Sequence, residues 1–74
     1  MEALSLIEVT VNGVCRTIPE GKSILELLEL LDVPAERVAV ELDRAIVRKL
    51  DWGSTIVEAG ARIEVVQFVG GGRA

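Results

Sequence analysis

Apolar and polar positions alternate over residues 7–11 (Ile-Glu-Val-Thr-Val), the period of a half-buried strand. Asn12-Gly13 follows, and a type I′ hairpin turn needs φ > 0 at both central positions, which this dipeptide accepts. A second strand over residues 14–18 then returns antiparallel, with Val11 opposite Val14. In that register Ile7, Val9, Val11, Val14 and Ile18 share the core face, and Cys15 and Thr17 point the other way. Pro19-Glu20-Gly21 ends the strand. Ser23 with Glu26 three residues on is a capping box opening a helix. Ile24, Leu27, Leu28 and Leu31 fall at i, i+3, i+4 and i+7 on one stripe, which Leu25 and Leu30 widen. Asp32-Val33-Pro34 closes the helix, because a residue before proline avoids the α region.

Alternation resumes over residues 38–42 and predicts a third strand, with Val38, Val40 and Leu42 on one side and Ala39 and Glu41 on the other. Asp43-Arg44 is a tight turn and residues 45–47 a short fourth strand. Residues 48–55 are polar and irregular around Trp52, which is expected to pack over the core. Residues 58–61 form a turn, and residues 62–68 alternate as the last strand. There Ile63 and Val65 face the core, while Glu64, Val66 and Phe68 face outward. The order β-β-α-β-β-β places two hairpins around one helix. This is the α+β, ubiquitin-like β-grasp arrangement: a mixed sheet of four to five strands, one face covered by the helix and the other open. The expected division is a domain over residues 1–69 and a flexible Gly-rich tail over residues 70–74.

Composition narrows the function classes. At 74 residues the chain is one domain and too small for a deep catalytic cleft. Half of it is hydrophobic but only Trp52 and Phe68 are aromatic, so the core is aliphatic. The formal net charge of −4 disfavours nucleic acid and anionic membranes. There is no His, the commonest general base, and the single Cys15 can form neither an intramolecular disulfide nor a cysteine metal site. Cys15 reads as a small filler residue. No apolar run spans a bilayer and no basic leader opens the chain, so a cytoplasmic protein is expected. Glu26, Glu29, Glu36 and Glu41 read as a solvated face, part of which can meet a basic partner surface.

The chemistry lies in Gly70-Gly71-Gly72, directly after the last strand. Together with Val-Ala-Val-Glu-Leu-Asp, Ile-Val, Trp52, Glu-Ala-Gly, Arg-Ile-Glu-Val-Val and Phe-Val-Gly-Gly-Gly over residues 38–72, and with Val11-Asn12-Gly13 and Pro19-Glu20-Gly21, this ending resembles the ThiS family of sulfur carriers in thiamine biosynthesis. MoaD, the small subunit of molybdopterin synthase, shares the fold and the diglycine ending.

The resemblance implies a carrier, not an enzyme. An E1-like adenylyltransferase of the ThiF type would adenylate the Gly72 carboxylate, with Gly71 completing the diglycine. The adenylate would become a thiocarboxylate, with sulfur from a donor such as a cysteine desulfurase. The sulfur would then pass to thiazole synthase, ThiG. No cofactor is bound by the carrier; ATP is consumed by the partner. Val66, Phe68, Val69 and Gly70, with Ala39 and Glu41 on the neighbouring strand, are the expected docking surface.

Several positions depart from the family pattern: Asp43 for Asn, Arg48 for Pro and Ala61 for Asp, all in turns, and Arg73-Ala74 beyond the diglycine. The expectation is a precursor cut between Gly72 and Arg73 by a JAMM-type metalloprotease. Two alternatives stay open: the same carrier chemistry for molybdopterin, cysteine or another sulfur metabolite, and a β-grasp interaction module with an inert tail.

Overall fold

The structure, a computed structural model, describes residues 5–68. Strands β1 (Leu6–Val11) and β2 (Val14–Pro19) form the first hairpin, followed by helix α1 (Ile24–Leu30) and a 3₁₀ turn at Ala35–Arg37. Strands β3 (Val38–Leu42) and β4 (Ala45–Val47) form the second hairpin, then come a 3₁₀ turn at Lys49–Asp51 and β5 (Arg62–Gln67). They build one five-stranded sheet in the order β2-β1-β5-β3-β4. The last strand lies in the centre, parallel to β1 and antiparallel to β3. The fold is the mixed α+β sheet with one main helix that the pattern predicts.

The turn chemistry is local. Asn12 and Gly13 have φ of 51° and 82°, and Asp43 and Arg44 have 50° and 74°. Both hairpins therefore close through two left-handed residues, so Val11 pairs with Val14 and Leu42 with Ala45. Helix α1 starts with the expected capping box. Ser23 Oγ accepts from the Glu26 N–H at 3.1 Å and a Glu26 carboxylate oxygen accepts from the Ser23 N–H at 2.9 Å. At its end Asp32 turns left-handed, with φ of 58°. The Asp32 N–H donates to the Glu29 carbonyl and the Val33 N–H to the Leu28 carbonyl, a Schellman closure that stops the helix before Pro34 is reached.

The core lies between α1 and one sheet face: Val9, Val11, Ile18, Ile24, Leu27, Leu28, Val38, Val40, Trp52, Val57, Ala61 and Ile63. Trp52 is buried as expected, and its indole N–H donates to the Val47 carbonyl at 2.9 Å. Val57, assigned to no element by pattern, is buried because Ile56 bridges Ser23 and the Val57 N–H donates to the Lys22 carbonyl, drawing the loop over the helix start.

Three expectations are corrected. Val14 is 55% exposed, because it sits at the hairpin tip on an edge strand with sheet on one side only. Leu25 and Leu30 are exposed, so the buried helical stripe is narrower than the leucine content suggests. Cys15 is exposed and fills no core space, because its register partner is Thr10, which places it on the open face.

Candidate functional site

The open face of the sheet collects side chains from strands distant in sequence. Across β3 and β5, Ala39 lies opposite Val66 and Glu41 opposite Glu64. Across β3 and β4, Glu41 lies opposite Ile46. Cross-strand partners share a face, so Ala39, Glu41, Ile46, Glu64 and Val66 form one surface. Phe68 follows directly at the end of β5, where its N–H donates to the Arg37 carbonyl at 2.8 Å. Ile46, Val66 and Phe68 are 75%, 54% and 57% exposed. Exposed large apolar side chains on a face that no other described element covers are the form a docking surface takes.

The expected docking residues Ala39, Glu41, Val66 and Phe68 are thus brought together. Pattern reading omitted Ile46 and Glu64 from this surface. The signal was available: a two-residue turn at Asp43-Arg44 pairs Leu42 with Ala45, and so fixes Ile46 opposite Glu41. Val69, Gly70, Gly71, Gly72, Arg73 and Ala74 lie outside the described residues, so the expected sulfur-bearing, processing and flexible-tail positions are known here only as sequence.

Electrostatically the face is acidic. Glu41 and Glu64 are like charges directly opposite each other, an arrangement that costs stability in the isolated sheet. Among the described residues no group of three or more His, Cys, Asp or Glu is placed to hold a metal ion. No described helix is long and apolar enough to cross a membrane. The face offers contact and charge, and at one end it delivers the chain toward the glycines.

The decisive finding is a family match that runs through the core and into the tail: the ThiS family model covers residues 9–72. The chain belongs to the ThiS family. A solved structure of the thiamine biosynthesis protein ThiS from Geobacter metallireducens superposes with a TM-score of 0.79 at 36% identity, covering 89% of this chain and all of that one. A solution structure of a thiamine biosynthesis protein from the same organism gives a TM-score of 0.75 at 35% identity, over 92% of this chain and 91% of that one. A thiazole synthase of Magnetococcus marinus is 33% identical over 67 residues, 90% of this chain but 21% of that protein. This ThiS-family chain thus spans about a fifth of the length of the thiazole synthases it matches. The uncharacterized protein ycf40 of Pyropia yezoensis is 35% identical, over 92% of this chain and 96% of its own length.

Proposed function

We propose that this chain carries sulfur as a thiocarboxylate on Gly72. An E1-like enzyme of the ThiF type transfers AMP from ATP to the Gly72 carboxylate and releases pyrophosphate. A persulfide delivered from a donor such as a cysteine desulfurase attacks the acyl carbon and expels AMP, and a second thiol then cleaves the resulting acyl disulfide, pairing with the donor sulfur as a disulfide and freeing the thiocarboxylate. The product has one sulfur in place of one carboxylate oxygen and donates it to a thiazole synthase of the ThiG type. The carrier contributes no acid, base or metal to these steps. It contributes a carboxylate that AMP turns into an electrophile, on glycines with no Cβ to obstruct a narrow channel.

The observation that carries this reading is the extent of the family match, which includes the diglycine and stops at Gly72. The open face supports it: Val66 and Phe68 precede the glycines directly, so a partner docked there is already beside the tail. The thiazole synthases that contain a segment similar to this whole domain support thiazole formation as the destination. In this sequence the Gly72 carbonyl is joined to Arg73. The chemistry therefore requires cleavage of that bond, for which a JAMM-type metalloprotease is the proposed agent.

The test is intact-mass analysis. The full-length protein and a form ending at Gly72 are incubated separately with ATP, a ThiF-type enzyme and a sulfide source. Exchange of one oxygen for sulfur on the Gly72-ended form alone is the expected result. Exchange on the full-length form with Arg73-Ala74 retained removes the cleavage step. No exchange on either form, with an enzyme competent on another carrier, overturns the carrier reading in favour of an interaction module with an inert tail.

A further inference from the structure

Strand β5 is the last described element before the glycines, and its two flanks are held differently. On one flank β3 pairs with it as far as Val38 opposite Gln67, and Phe68 adds a bond to Arg37. On the other flank β1 is parallel to it, but only Thr10 opposite Arg62 and Val11 opposite Ile63 are paired. The last backbone bond there runs from the Asn12 N–H to the Ile63 carbonyl at 2.9 Å. Beyond it the chain turns away into the hairpin, and Val65 has no β1 residue beside it.

The Asn12 side chain supplies the missing rung. Its Oδ1 accepts from the Val65 N–H at 2.8 Å, and its Nδ2 donates to the Val65 carbonyl at 3.2 Å. A carboxamide has one acceptor and one donor in a plane, like a peptide group, so it continues the ladder by one residue after the backbone has left. The left-handed φ of 51° at Asn12 lets one residue both make the turn and present its amide to β5. Asp43, at the same position of the second hairpin, holds the start of β5, accepting from the Arg62 N–H through Oδ1 at 2.9 Å. The central strand is bracketed by the side chains of two turns.

We infer that Asn12 is a positioning residue for the carrier reaction: it fixes the end of β5, and with it the direction in which the chain leaves for Gly72. The inference rests on the carrier reading proposed above. Val66 follows the braced residue directly, Phe68 lies three residues beyond it, and the chain leaves for the glycines after Phe68. A β5 end held on both flanks presents these side chains and the start of the tail in one arrangement, so loss of the brace acts on docking and on the step that follows it.

Asn12→Gly is the informative variant, because Gly-Gly also satisfies the type I′ turn while the carboxamide is removed. Val65 amide exchange is expected to quicken about tenfold, the loss of one net hydrogen bond. The backbone order parameter of Phe68 is expected to fall below about 0.6, with Val9 and Leu27 unchanged. In the adenylation assay with Gly72-ended protein, kcat/KM for the carrier is expected to fall roughly tenfold. Asn12→Asp keeps the acceptor for the Val65 N–H, loses the donor, and should fall between. It also carries the comparison if Asn12→Gly does not fold. Phe68 order and kcat/KM at wild-type values, with only Val65 exchange faster, overturn the inference and leave Asn12 a local support. Failure of the wild-type protein to accept AMP sinks the carrier reading instead, while the order parameter of Phe68 still decides what Asn12 does to the strand.

Discussion

Trp52 shows how one residue ties the least regular part of the chain to the core. The ring is buried, and its N–H satisfies the carbonyl of Val47, the last residue of β4. Trp52→Phe keeps part of the aromatic packing but leaves that carbonyl unpaired and a gap where the distal ring of the indole was. A loss of about 2 kcal/mol, read by urea denaturation, is expected. Val14 makes the opposite case. Periodicity places it on the core side, and the register agrees, since it pairs with buried Val11. Facing the core is a property of register; being covered by it depends on what lies above the hairpin tip. Val14→Thr should therefore leave stability within about 0.5 kcal/mol of wild type, whereas the same change at Val11 should cost several times more.

At the scale of elements, the start of α1 depends on a reciprocal pair. Ser23→Ala removes the acceptor for the Glu26 N–H and is expected to cost about 1 kcal/mol. The Glu26 carboxyl is held below its usual 4.5, first by the bond from the Ser23 backbone N–H and further by Lys22 and the Ser23 hydroxyl, against a smaller effect of desolvation. A depressed folded-state pKa stabilises above the unfolded value, and the contribution is lost as pH falls through the folded one. The stability gap between wild type and Glu26→Gln should therefore be full at neutral pH and be lost as the pH falls below 4.5 through the depressed folded value. On the other side of the sheet, Glu41 and Glu64 stand opposite each other and neither carboxylate is in a close ion pair among the described residues. Glu41→Gln should stabilise the free protein by about 0.2–1 kcal/mol and weaken its complex with a basic partner. A melting curve and a titration of the same variant, moving in opposite directions, would mark the pair as a recognition feature.

At the scale of the molecule, one face of the sheet is closed by the helix and the other is covered by no described element. The net charge of −4 adds a field that speeds encounter with a basic enzyme surface and fades with salt. Phe68→Asp should weaken adenylation, raising KM, without lowering the melting temperature, because Phe68 is 57% exposed in the free protein. Unfolding instead would show that Phe68 belongs to the domain's own packing.

The chain by itself determined the elements and, through its resemblance, the family. Alternation, Asn12-Gly13, the Ser23–Glu26 box and the diglycine ending are local statements, and local sterics and hydrogen bonding decide them. Tertiary structure alone decided what depends on neighbours distant in sequence: that β5 is central, that Ala39 lies opposite Val66, that Val57 is buried and Val14 is not, and that the Asn12 side chain completes a ladder 53 residues away. Burial and bracing are relations between strands. A periodic pattern fixes which way a side chain points but carries no information about what will stand opposite it.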